Sequence, residues 1–110
     1  MPEAPFEHGV ALFNRSEFFD AHEVLEDVWR AADGPEKRFL QGLIQIAVGF
    51  HHHSTGNLVG ARSLLCRGAD KMRNLPATHA GIDVAALRES LAAWLAHLDA
   101  GAPQPPFPRL

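Results

Sequence analysis

In the run Phe18-Phe19-Asp20-Ala21-His22-Glu23-Val24-Leu25-Glu26-Asp27-Val28-Trp29, an imidazole and a carboxylate stand four residues apart. On a helix, His22 and Glu26 then stack on one face. With Phe18 set at 0°, they fall at about 40° and about 80°, on the margin of the apolar stripe, while Glu23 at about 140° turns further outward. A neutral imidazole and a carboxylate one turn apart are a common ligand pair for zinc, manganese or iron. A divalent metal ion is therefore the cofactor they imply. In the zinc metalloprotease pattern, a second His follows at i+4 and the Glu after the first His acts as base. Here Glu26 takes that fifth position, so the pattern is incomplete. The same residues also read as a buried polar seam, with His22 donating to a neighbouring helix and Glu26 bonded to a glutamine or to Arg30.

Further along, Gln41, Gln45 and His52 form the one polar stripe of an otherwise apolar segment. A tight connection at Asp33-Gly34-Pro35 makes the helices on either side antiparallel neighbours. His22 lies about ten residues before it, or roughly 15 Å along the axis. That height faces Gln45 or Ile46, with Gln41 near the level of Glu26 and His52 offset by roughly 9 Å. A cluster of His22, Glu26, Gln41 and Gln45 is the easier geometry. The triplet His51-His52-His53 cannot converge on one ion, because consecutive helical residues point about 100° apart. His53 falls on the apolar side as a packed histidine, and His52 is the candidate polar-site residue. His8, His79 and His97 show no partner pattern and read as surface or capping residues. Cys66 has no base beside it in sequence, and a single cysteine supports neither a disulfide nor a cysteine zinc site.

These side chains need a scaffold, and the composition says which kind. Ala and Leu supply 30 of the 110 residues, Val, Ile and Thr only 11, and Tyr none, so helix formers dominate and an all-α fold follows. The expected architecture is a compact bundle of about five helices built from antiparallel hairpins. The first spans about Phe6 to Asn14, with Phe6, Val10 and Phe13 inward and Ser16 capping the second. The second covers about Glu17 to Ala32 and buries Phe18, Ala21, Leu25, Val28, Trp29 and Ala32. The third, about Pro35 to Ser54, is apolar nearly all round and belongs at the centre. Asn57 caps the fourth, which turns Leu58, Ala61, Leu65 and Met72 inward. Asp83 caps the fifth, Gly101 ends it, and the proline-rich residues 101–110 are extended. The domain thus covers residues 1–100. Residues 18–25 echo residues 58–65 at an offset of 40, a weak sign of two stacked hairpins.

A formal charge of −3 argues against a nucleic-acid partner. No apolar run is long enough for a membrane span, and a chain opening Met1-Pro2-Glu3-Ala4-Pro5 reads as cytoplasmic.

Three blocks give a specific combination in order: Phe19 with Ala21-His22-Glu23-x-x-Glu26-x-x-Trp29, then Gln41-Gly42-Leu43-Ile44-Gln45, then Gly56-Asn57-Leu58-Val59-Gly60-Ala61. Together they resemble the domain of unknown function 309 family, small helical proteins sometimes labelled metal-dependent hydrolases. The resemblance implies a helical bundle. Its label points at His22 and Glu26 as metal ligands and Glu23 as general base, with Gln41, Gln45 and His52 opposite. Two readings stand open: a metal-dependent hydrolase of unknown small-molecule substrate, or a non-enzymatic interaction module or homodimer whose polar seam is structural.

Overall fold

The computed structural model describes residues 4–110. Five helices follow one another: α1 (Pro5–Asn14), α2 (Phe18–Ala31), α3 (Gly34–Ser54), α4 (Leu58–Met72) and α5 (Val84–Ala100). The fold is all-α, as the composition requires, with one addition. A two-residue antiparallel pair, β1 (Thr78–His79) and β2 (Ile82–Asp83), links α4 to α5. Ala80 and Gly81 both take positive φ (52° and 76°), the geometry of a tight hairpin turn. The sequence reading contains no strand there, because alanine seldom marks a left-handed position.

The turn joining α1 to α2 differs from the expected N-cap. Glu17 N–H donates to Leu12 O and Ser16 N–H to Phe13 O, closing α1 with a left-handed capping turn in which Ser16 has φ 62°. Ser16 thus ends one helix instead of capping the next, and no side chain caps α2. The turn joining α3 to α4 is its counterpart 40 residues on. Asn57 N–H donates to His52 O, Gly56 N–H donates to His53 O, and Gly56 takes φ 82°.

The correspondence extends into the packing. A Cβ on Gly9 would stand 2.8 Å from Leu25 Cδ2, and one on Gly49 would stand 3.0 Å from Leu65 Cδ2. Both glycine–leucine pairs are related by the same offset of 40. The echo in the sequence is therefore a repeat of hairpin geometry. Asn57 and Asp83 cap α4 and α5 as expected, accepting from Gly60 N and Ala86 N at 2.9 and 3.0 Å. Gly101 ends α5 with φ 72°.

The central helix is α3, which buries Phe39, Leu40, Leu43, Ile46, Ala47 and Phe50. It crosses α4 closely at Gly42 and Gly68, where a Cβ on Gly68 would lie 2.5 Å from Ile46 Cγ1 and 3.1 Å from Gly42 O. Two expected stripes shift. Helix α1 buries Gly9, Leu12 and Phe13, leaving Phe6 and Val10 half-buried, and Leu58 on α4 is 53% exposed. Residues 101–110 form neither helix nor strand, but they are sewn to the bundle. Phe107 stacks on Trp94 (centroids 5.2 Å, 13°) and meets Phe18 and Phe50 edge-on. Trp94 Nε1 donates to Pro106 O at 3.0 Å, and Asn14 pairs with both the N–H and the carbonyl of Leu110.

Candidate functional site

Helix α2 presents His22 and Glu26 one turn apart, as its period dictates. His22 Nδ1 lies 2.6 Å from Phe19 O. A carbonyl only accepts, so Nδ1 carries a proton, and Nε2 is left on the far side of the ring. Nε2 stands 3.6 Å from Glu26 Oε2, with the two side chains 19% and 40% exposed. The pair is thus sheltered but reachable from solvent. Phe19, itself 49% exposed, meets the His22 ring edge-on at 5.0 Å and the His51 ring at 5.1 Å.

Glu26 also borders a cavity of about 160 Å³ between α2 and α3, lined by Glu26, Trp29, Gln41, Ile44 and Gln45. The antiparallel register brings Glu26 to Gln41 and Gln45 as the axial estimate expects. His22 touches Glu26 but is not part of the lining, and neither is His52. His52 lies at the end of α3, where its carbonyl accepts from Asn57 N–H and Thr55 Oγ1 and its Nδ1 lies 3.5 Å from Asn57 Nδ2. It belongs to the α3–α4 turn, about two turns of helix from Gln45. Glu23 lies exposed on α2. Among the described residues, no three of His, Cys, Asp and Glu gather as a metal-ligand group, so His22 and Glu26 stand as a pair.

Two members of this region escape the sequence reading. The first is the polar end of Trp29, which the period assigns only to the apolar stripe. Its Nε1 is buried and has no hydrogen-bond partner, the one such side-chain atom among the described residues. Lys37 Nζ lies 4.4 Å from the Trp29 ring centroid. The second is Lys71 of α4, whose ammonium donates to Gln45 Oε1 at 2.9 Å. Burial, helped by the nearby Arg38 charge, holds the Lys71 pKa below the ordinary lysine value. The signal for Trp29 lay in its type, since an indole on a half-buried stripe must place an N–H somewhere.

Elsewhere, His79 pairs with Glu36 (Nε2 to Oε2 3.1 Å) and packs on Phe39, a contact across 43 residues that no local pattern could show. His53 packs against Trp94 and Phe107, the apolar setting its position indicates. His97 Nδ1 lies 2.6 Å from Ala102 O, beyond the end of α5, so it ties the segment after the helix back onto it and caps no helix end.

The blocks that build this seam also decide the relationship. A family model described as "Domain of unknown function (DUF309)" matches residues 6–64, which include His22, Glu26, Trp29, Gln41 and Gln45. The chain belongs to the DUF309 family. It is similar to "Uncharacterized protein YpuF" of Bacillus subtilis (strain 168), 34% identical over 84 residues, covering 74% of this chain and 46% of that one. It is also similar to an "Uncharacterized protein" of Aquifex aeolicus (strain VF5), 30% identical over 92 residues, covering 83% of this chain and 28% of that one. The DUF309 chain spans less than half the length of these curated relatives. Among its described residues, no helix is long and apolar enough to cross a membrane.

Proposed function

We propose that the α2–α3 seam is a divalent-cation site beside a small-ligand cavity, and that the protein works there as a metal-dependent hydrolase. One observation carries the reading: His22 is held by its Nδ1–H on a backbone carbonyl with Nε2 turned toward Glu26 Oε2 at 3.6 Å. Ring orientation through the second nitrogen is how metal-binding histidines are usually fixed. Two donors that each sit about 2.1 Å from a common ion can be no more than roughly 4.2 Å apart, so the spacing fits. Two protein donors leave the remaining positions to solvent and substrate, as a catalytic site needs. When bound, the ion would lower the pKa of a coordinated water and so supply a nucleophile near neutral pH. Glu23, adjacent to His22 in sequence, is the carboxylate that the family label points to for proton transfer, and its outward position on α2 counts against that role.

The experiment is metal analysis and calorimetric titration of untagged protein with Mn²⁺ and Zn²⁺. Stoichiometric binding lost in His22→Ala and in Glu26→Gln is expected. Absence of binding in the wild type, with a lowered Tm in His22→Ala, overturns the reading in favour of a structural seam. That rival, an interaction module or homodimer, draws on exposed Phe19, Leu58 and Val59 near the hairpin turns.

A further inference from the structure

We propose that Lys71 of α4 is an acylation site, whose amine, held on Gln45 beside the guanidinium groups of Arg38 and Arg67, takes the acyl group of an acyl phosphate. The inference goes beyond the His22–Glu26 site and does not depend on any cation there.

Helix packing places the amine. A Cβ on Gly42 would stand 3.0 Å from Lys71 Cβ, so the lysine stem lies against the α3 backbone at that glycine. About one turn further along α3, Gln45 Oε1 receives the head at 2.9 Å. That acceptor is a neutral amide, and it can bond an N–H of an uncharged amine as well as one of an ammonium. The charges nearby are mostly of one sign. Arg38 acts on Lys71 from α3, and Arg67 acts from one turn earlier on α4. Asp70, the carboxylate among them, has each oxygen turned to a different arginine: Oδ2 to Arg38 at 3.7 Å and Oδ1 to Arg73 at 3.1 Å. Burial first, then the Arg38 and Arg67 charges, hold the Lys71 pKa below the ordinary lysine value against the opposing pull of Asp70.

Only the uncharged amine has a lone pair, so this setting enlarges the fraction able to act as a nucleophile near neutrality. The nitrogen attacks the carbonyl carbon of the acyl phosphate, and a C–N bond forms. The bond from that carbon to the phosphate oxygen breaks, and phosphate leaves with the electron pair. One amine proton passes to the departing phosphate. An anionic donor suits the place because the two guanidinium groups that oppose an ammonium attract a phosphate. The product amide keeps one N–H for Gln45 Oε1 and loses the charge that Arg38 and Arg67 oppose, so the bond between α3 and α4 can survive the modification.

The chain supplies its own reference, because it has two lysines, Lys71 and Lys37, and both are half-buried. A difference in their rates therefore reports their surroundings more than their access. The test incubates the full chain with acetyl phosphate near neutral pH and follows acetylation of each lysine by peptide mass spectrometry. Lys71 is expected to react about threefold faster than Lys37 or more. That advantage is expected to vanish in guanidinium chloride, where the fold no longer gathers these groups. Arg38→Gln and Arg67→Gln, both at exposed positions, should each slow Lys71 and leave Lys37 unchanged. Reaction at Lys37 as fast as at Lys71, a Lys71 advantage that persists in denaturant, or a Lys71 rate untouched by both arginine variants overturns the proposal. The experiment contains no metal, so its outcome and that of the cation titration are independent.

Discussion

The α1–α2 and α3–α4 hairpins are two renderings of one design. Each closes its first helix with a left-handed turn, Ser16 in one and Gly56 in the other. Each lets its helices approach where a glycine meets a leucine, Gly9 with Leu25 and Gly49 with Leu65. They part at the next positions. Where α2 carries His22 and Glu26, α4 carries Arg62 and Cys66. Arg62 reaches across to Asp99 on α5 in a two-point ion pair, and Cys66 is exposed. A hairpin of this shape therefore stands without an imidazole and an acid on its second helix. The His22–Glu26 pair is thus a feature of the first hairpin alone, and it is there that the proposed cation site is to be tested.

The comparison can be broken most forcefully at the leucines. Leu25 and Leu65 are both fully buried, so Leu25→Ala and Leu65→Ala should each cost about 2–5 kcal/mol in urea unfolding. A large excess at one of them would show that the hairpins share a shape but not a packing role. A smaller effect separates the glycines. Gly9→Ala meets only side-chain atoms of Leu25 and Val24, whereas Gly49→Ala also meets Leu65 N at 3.2 Å. We expect Gly49→Ala to destabilise by about 1–3 kcal/mol, the cost of overpacking, and Gly9→Ala by less in the same titration.

The turn residues should trade places predictably. Ser16→Gly relieves a left-handed serine and should stabilise by about 1 kcal/mol, while Gly56→Ser should destabilise by a similar amount in thermal melts. Exchanging the site itself sharpens the contrast further. The double variant His22→Arg, Glu26→Cys gives α2 the residues of α4 and should change stability by less than about 1 kcal/mol, yet abolish Mn²⁺ and Zn²⁺ binding by calorimetry.

The smallest effect lies in the second hairpin's own ion pair. The Arg62 hydrogen bond holds the Asp99 carboxyl below its ordinary value of 3.8. A depressed carboxyl contributes stability above that ordinary value and loses it as pH falls through the lower, folded-state value. Asp99→Asn should accordingly lower Tm slightly near neutrality and flatten its drop below about pH 4 by a matching amount, both changes small because the two groups are solvated.

Much of this was legible in the chain because it is local. The periods of α2, α3 and α5, the Asn57 and Asp83 caps and the Gly101 stop each depend on a few neighbouring residues, and each appears where the sequence places it. The Glu26–Gln41–Gln45 grouping was also readable, since a short connection fixes axial register. What escaped depends on rotation or on distance. Helix α1 turns Leu12 inward instead of Phe6 and Val10 because the aromatic core draws Phe13 onto Phe18 and Phe50. Ser16 was misread because a left-handed serine and a capping serine look alike in sequence. The orphaned Trp29 N–H and the Lys71–Gln45 bond arise only when three helices meet, and no spacing along one of them encodes that meeting.

The clasp between Asn14 and Leu110 joins positions 96 residues apart. A chain leaving the ribosome from its N-terminus can form the first hairpin early. It cannot secure the end of α1 until Trp94, Phe107 and Leu110 have been synthesised, because those residues complete the aromatic floor and the asparagine pairing. Local helices thus form first, and the final locking of the bundle waits until residues 94–110 have emerged.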